Sequence, residues 1–256
     1  MKLISVKKTS NNYKAVFDDG STLCLSEEVI IKYGLLRHNI EINNIAQIIK
    51  DNDYYIALNA AYRYLYNVHS KREVYEHLIK KYDKDIVLQV IDKLEQMNLI
   101  DDLEYARLLY NHFVKVLKGK ELYLYTLKEE GIKEEVILQA SSFYLEKDEI
   151  EVCQKAIDKI LINYKKYSNK EKIRKLKAYL LSRGFSENIV NILLAKEIEM
   201  LDNIDNESKA LSYQYERCLK KYQNKYEGYE LKEKIIHYLL QKGFKYDSIK
   251  EMLQDD

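Results

Sequence analysis

Three stretches of the chain share one plan: EEGIKEEVI (129–137), SRGFSENIV (182–190) and QKGFKYDSI (241–249). In each, a helical pattern ends on Gly, an apolar residue follows, and the next apolar stripe begins four to five residues later. Gly131, Gly184 and Gly243 suit the left-handed position just past a helix end, which other residues enter at a cost. KKYDKDIVL (80–88) is a fourth copy with Lys81 in place of Gly. Tyr82, Ile132, Phe185 and Phe244 are then equivalent, at separations of 50, 53 and 59 residues. A period of this length marks a tandem helical repeat, whose units bury their faces partly against their neighbours. The expected fold is mainly α, with tandem three-helix modules in an elongated curved array behind a small N-terminal β-meander. The expected modules are 51–100, 101–147, 148–202 and 203–256, preceded by a meander and short helix over 1–50.

Local patterns support that division. The chain of 256 residues has no Pro and only 7 Gly, so helix breakers are few. Ile86, Val87, Val90, Ile91 and Leu94 form one apolar stripe at helical spacing, and Ile189, Val190, Leu193 and Leu194 another. Ser70 to Glu73 and Ser168 to Glu171 have the Ser-x-x-Glu form of a capping box. Asp101 with Glu104, and Asp148 with Glu151, place acidic caps in the same relation. Before residue 26 the period is two: Ile4 and Val6, then Tyr13, Ala15 and Phe17, then Leu23 and Leu25. Turn signals at 10–12 and 18–20 separate these runs, and a helix over 26–33 should stop at Gly34.

Several function classes are excluded at this level. Net charge is +1, so no global field draws the protein to polyanions, and any such binding must come from local clustering. Cys24, Cys153 and Cys218 have no metal or redox spacing and read as ordinary thiols of a reducing cytoplasm. No apolar run reaches the roughly 18 residues of a membrane span, and no signal-peptide pattern opens the chain. A P-loop is absent: Gly119-Lys120 stands alone. His38, His69, His77, His112 and His237 share no ligand spacing with each other or with the cysteines. The adjacent carboxylates Asp101-Asp102 read as a helix cap plus a first-turn acid rather than a catalytic pair. Neither an enzyme nor a metal or cofactor site is expected.

Charge is unevenly spread. Residues 149–200 carry a net +4, whereas 101–148 carry −3. Lys159, Lys165, Lys166, Lys170, Lys172, Arg174, Lys175 and Lys177 fall within nineteen residues, opposed in that stretch only by Glu171. Tyr164 and Tyr167 are interleaved with them. One reading is a patch for phosphates or an acidic protein surface, with Tyr available for stacking. The other is a solvated helix end and loop. In both, Lys172 and Arg174 flank Ile173 and are expected to face away from the core.

Four linked segments resemble the RecX family. ALNAAYRYL (57–65) is similar to the family's opening helix, with Arg63, Tyr64 and Leu65 in matching places. The helix start at 70–78, with Arg72, stands where the family has a basic helix start. LIDDLEYA (99–106) resembles the family's G-L-[IL]-[DN]-D-x-x-[FY]-A junction, and GKELYLYTLKEEGI (119–132) its G-x-x-x-I-x-x-x-L-x-x-K-G-I segment. There are departures. The chain has Asn67-Val68-His69 where relatives often carry several Arg, and Lys120-Glu121 where they often have Pro-Arg. The resemblance implies a non-catalytic cytoplasmic regulator that lies along the RecA filament on single-stranded DNA and inhibits its recombinase, ATPase and coprotease activities. That is a role in homologous recombination, DNA repair and the SOS response. Weak direct DNA binding and a monomeric state are further expectations. Arg63, Arg72 and the basic segment 159–177 are the candidate contacts. A helical DNA-binding protein, or a helical adaptor acting independently of RecA, stands as the alternative.

Overall fold

Alternation at the N-terminus produces strands in the computed structural model of the chain, which describes residues 1–10, 12–37, 40–202 and 207–253. Strands β1 (Lys2–Lys8), β2 (Tyr13–Phe17) and β3 (Thr22–Leu25) form the expected antiparallel meander. Helix α1 (Glu27–Lys32) follows, capped by Ser26, and Gly34 adopts φ +62° just beyond it. A fourth strand, β4 (Ile40–Glu41), pairs with Lys2 and Leu3 and makes the sheet order β3-β2-β1-β4. Two residues cannot show an alternation, so sequence pattern alone does not reveal this strand. Asn11 of the first turn signal, His38, and residues 203–206 and 254–256 of the fourth expected module lie outside the described residues.

Among the described residues, thirteen α-helices follow one another in the chain, so that after α1 they fall into four sets of three. The chain forms two compact units, Met1–Tyr105 with Glu130–Val136, and Ala106–Glu129 with Ile137–Asp256. In the first unit the sheet packs Leu3, Ala15, Phe17 and Leu25 onto Val29, Ile30 and Ile48. Ile48 belongs to α2 (Ile45–Tyr64). Asn52 on the same helix accepts from the Ser26 backbone N–H (2.8 Å) and donates to the Cys24 carbonyl (3.0 Å). A sheet this small needs such a covering surface. Helices α3 (Lys71–Leu78) and α4 (Lys84–Gln96) complete a second core with α2, in which Ala57, Ala61, Val74, Leu78, Val87 and Val90 are buried.

Helices α5 (Asp102–Lys115) and α7 (Glu134–Ser141) contribute residues to both units. The second unit contains α6 (Lys120–Glu129), α8 (Glu146–Leu161), a 3₁₀ turn (Ile162–Tyr164), α9 (Asn169–Ser182), α10 (Glu187–Asp202), α11 (Glu207–Tyr222), α12 (Gly228–Gln241) and α13 (Tyr246–Met252). Phe113, Tyr123 and Tyr144 form an aromatic core here with Tyr110 at its edge, ring centroids 5.3–6.4 Å apart. Their polar ends are satisfied: the Tyr123 hydroxyl donates to the Ala106 carbonyl (3.0 Å) and that of Tyr144 to the Lys118 carbonyl (2.7 Å). Val152, Ala156, Leu176, Leu180, Phe185 and Val190 form a further core across α8, α9 and α10. Ala210, Cys218, Leu239 and Ile249 anchor the last one.

Two expected module boundaries are corrected. The one at 50/51 falls inside α2, because the Asn44 side chain accepts from the Gln47 N–H (3.1 Å) and starts the helix at Ile45. The one at 147/148 falls inside α8, which begins at Glu146, so Asp148 sits in its first turn rather than at its cap.

A recurring junction explains the repeat. In the first three sets, the start of the second helix abuts the glycine-terminated end of the next set's second helix. The Ser70 hydroxyl, at the start of α3, donates to Glu130 Oε2 (2.9 Å) beside Gly131. At the start of α6 the Gly119 N–H donates to the Arg183 carbonyl and the Glu121 N–H to the Gly184 carbonyl, both at 2.9 Å. At the start of α9 the Ser168 hydroxyl donates to the Lys242 carbonyl (2.6 Å) beside Gly243. Helix starts facing helix ends bring opposite dipole ends together. At the middle junction the backbones nearly touch: a Cβ on Gly119 would lie 2.2 Å from the Gly184 oxygen. Gly184, at φ +77°, could carry no Cβ either, since Leu122 Cβ would lie 2.2 Å away.

A carboxylate completes each junction. Asp102 accepts from the Lys71 N–H (3.2 Å), Glu149 from the Lys120 N–H (3.4 Å), and Glu207 from the Asn169 N–H (2.8 Å). Each belongs to the first helix of one set and caps the second helix of the set before it. Such a cap satisfies an N–H that has no partner within its own helix and is worth about 1 kcal/mol. Asp101 instead caps its own helix, accepting from Leu103 N–H (2.8 Å) and Glu104 N–H (3.1 Å). The Asp101-Asp102 pair of LIDDLEYA therefore holds two helices, not one.

Candidate functional site

The basic segment begins at the end of α8, runs through the 3₁₀ turn and continues into α9. Its charges are not equivalent once folded. Arg174 makes two hydrogen bonds to Glu171 (2.9 and 2.7 Å), and Lys175 lies 3.8 Å from the same carboxylate. The Arg174 guanidinium holds the Glu171 carboxyl below its usual range. Lys177 pairs at 3.1 Å with Glu187, an acid ten residues further along the chain. Lys166 sits over the Tyr213 ring, 4.4 Å from its centroid. Lys159, Lys165 and Lys170 are exposed and form no ion pair among the described residues.

Lys172 corrects an expectation. It is buried, 5% exposed, rather than turned away from the core. It precedes Leu176 and Leu180 by four and eight residues, so it continues the stripe that those two bury. Its Nζ donates to Asn169 Oδ1 at 3.0 Å. Burial pushes its ammonium pKa down, and the charge of Glu207 acts in the opposite direction.

The interleaved tyrosines are also partly committed. Tyr164 packs against the α8–α10 core and meets Tyr167 edge to face, centroids 5.7 Å apart. Lys175 covers the Tyr167 ring at 4.8 Å. These rings brace the segment, which leaves the lysines as its freer groups.

Lys165, Lys172 and Lys209 line one cleft of about 430 Å³ together with Leu161 and Leu201. Lys170 lines a neighbouring, more apolar cleft of about 330 Å³ with Ile173, Ile198, Gly243 and Lys245. Lys209 stands outside the basic run of 159–177. It lies 32 residues beyond Lys177, and only the packing of α11 beside α9 brings it in.

Arg63 and Arg72 belong to the first compact unit and form no cluster with this segment in sequence. Arg63 is exposed at the end of α2, and Arg72 is ion-paired with Glu76 at 2.9 Å. Beside them the Tyr64 ring is sandwiched between His69 (3.9 Å, 12°) and His77 (4.0 Å, 8°). Burial lowers the His77 pKa, and Lys81, Lys80 and His69 add to the effect. Among the described residues no group of His, Cys, Asp and Glu could hold a metal ion. Cys153 and Cys218 are buried, their thiols pushed up to about 12 and about 11 by burial. No helix among the described residues is long and apolar enough to cross a membrane.

Comparison with known proteins adds independent findings. A sequence model described as RecX, third three-helix domain, matches residues 147–194 and again 205–253. The regulatory protein RecX of Bacillus licheniformis is 30% identical over 258 residues, covering 98% of this chain and 97% of that one. That of Staphylococcus carnosus is 28% identical over 259 residues, covering 97% and 94%. A crystal structure of RecX from Lactobacillus salivarius is similar with a TM-score of 0.52 at 28% identity, covering 60% of this chain and 99% of that one. A crystal structure of another regulatory protein RecX matches in fold with a TM-score of 0.62 at 22% identity, covering 79% and 99%.

Proposed function

The chain belongs to the RecX family of regulatory proteins, a non-enzymatic family, and on that premise we propose that it binds the RecA filament on single-stranded DNA in the cytoplasm as a monomer. There it restrains strand exchange, ATP turnover and coprotease action without catalysing a reaction itself. The observation that carries this reading is similarity to regulatory relatives along almost the whole aligned length of both chains. A filament offers many equivalent sites, and several shallow contacts from tandem modules add through avidity. Lys159, Lys165, Lys166 and Lys170 supply positive charge for such contacts, and Arg63 does so in the first unit.

The test is single-stranded-DNA-dependent ATP hydrolysis by the host RecA, titrated with this protein at two salt concentrations. Inhibition well below one molecule per RecA, unrelieved by extra free DNA, is the expected result. Inhibition that vanishes when free DNA is added, with a steep salt dependence, identifies a DNA-binding protein acting by sequestration. No inhibition by a folded, helical protein leaves an adaptor for a different partner. Changing Lys165, Lys166, Lys170 and Lys175 together to Gln is expected to weaken filament binding at low salt. Unchanged affinity removes the basic segment from the interface.

A further inference from the structure

The cleft between α8, α9, α10 and α11 is lined, among the described residues, by three lysines and no acid. Lys172 in this cleft is 5% exposed, yet among the described residues its ammonium has a single hydrogen-bond partner, the uncharged Asn169 Oδ1. An ammonium carries three donors. Burying one without an ion pair is unfavourable. Glu207, the carboxylate whose charge reaches Lys172, is engaged by the Asn169 N–H at 2.8 Å and forms no ion pair with the lysine among the described residues. Lys165 and Lys209 line the same cleft from two further elements, and neither has an ion-pair partner among the described residues. Leu161 and Leu201 supply apolar wall, which strengthens any charge–charge attraction inside.

We propose that this cleft is a phosphate-binding site, with Lys172 as its buried donor and Lys165 and Lys209 closing on the anion from the rim. Three ammonium groups around one space match a tetrahedral anion with several acceptor oxygens better than they match a single carboxylate. The cleft volume of about 430 Å³ leaves room for a phosphate group with part of the molecule that carries it. The phosphate comes either from a small molecule or from a nucleic-acid backbone, and the chemistry of recognition is the same. This inference does not depend on RecA.

The experiment uses the full ¹⁵N-labelled chain titrated with sodium phosphate, against sodium chloride at matched ionic strength. Amides of Lys165, Lys172 and Lys209 and their neighbours are expected to shift and saturate as one site. Lys172→Met is expected to weaken that site at least tenfold, and Lys165→Gln or Lys209→Gln about threefold each. Lys159→Gln, outside the cleft, should leave it unchanged. If Lys172→Met disturbs the fold, the two rim variants, both at exposed positions, carry the test. Shifts that stay linear with phosphate, that persist undiminished in the variants, or that sodium acetate produces at equal concentration overturn the proposal. An oligo(dT) that shifts the same amides and is displaced by phosphate assigns the site to a nucleic-acid backbone. An oligo(dT) that leaves them unmoved while phosphate saturates assigns it to a small phosphate.

Discussion

Ser70 and Ser168 start equivalent helices from the same Ser-x-x-Glu pattern, yet they end in different states. At Ser70 the box closes: the hydroxyl caps the Glu73 N–H (3.1 Å), and Glu73 returns to the Ser70 N–H (3.1 Å). At Ser168 the hydroxyl still caps the Glu171 N–H (3.2 Å), but Glu171 is drawn to Arg174 and Lys175 instead. A surplus of nearby cations diverts the acid from a backbone role to a neutralising one. The α3 start is thus closed and locally balanced, and the α9 start spends its acid and still leaves Lys165, Lys170 and Lys172 without an ion pair among the described residues. The same fold element serves as plain scaffold at one place and borders a cationic cleft at the other.

Mutations can break this comparison at graded cost. The largest effect is expected at the junction that has no serine: Gly119→Ala drives a methyl into the Gly184 backbone and should cost at least about 3 kcal/mol in urea unfolding. Gly131→Ala, where a Cβ meets nothing within 4 Å but φ is +70°, should cost only about 1 kcal/mol. Glu149→Leu leaves the Ser186 N–H (2.8 Å) and the Lys120 N–H without their acceptor and should cost about 2 kcal/mol. Ser70→Ala should then cost about 1.5 kcal/mol and Ser168→Ala about 1, since only the former opens a two-way box. Equal losses for the two serines would erase the distinction drawn between them.

The smallest effects are those of pH. The folded state keeps His77 neutral more strongly than the unfolded chain does, so its lowered pKa contributes stability above the usual value of 6.5. That contribution is lost as pH falls through 6.5 toward the lower folded pKa, and His77→Phe should flatten melting temperature across this window. Glu171, also lowered, acts in a separate window: its contribution is present above 4.5 and lost as pH falls below it. Arg174→Gln should remove most of the second effect and none of the first.

Much of this molecule is legible along the chain. Period-two residues make the sheet, and apolar stripes make the helices. Three glycines take the left-handed position the pattern required, at φ +70°, +77° and +87°. The resemblance of four short segments to the RecX family is matched by end-to-end relatives. The candidate site was less legible. The basic run is visible as composition, but Lys172 required attention to its four-residue spacing from Leu176 and Leu180. Arg174, Lys175 and Lys177 are held by acids, one of them ten residues away. Lys209 carries no sequence signal that links it to the cleft.

Sequence by itself determined what lies within one turn of helix or one hairpin: helix starts at Ser26, Ser70 and Ser168, helix ends at glycine, and the alternation of β1 to β3. These depend on contacts between residues at most a few positions apart, so local residue type decides them. Tertiary structure alone decided which acid caps which helix. Asp102, Glu149 and Glu207 reach N–H groups 31, 29 and 38 residues away. It also decided that Lys165, Lys172 and Lys209 line one cleft. Such pairs exist only after the helices have packed, because burial, and not sequence distance, sets which charges meet and how strongly they act.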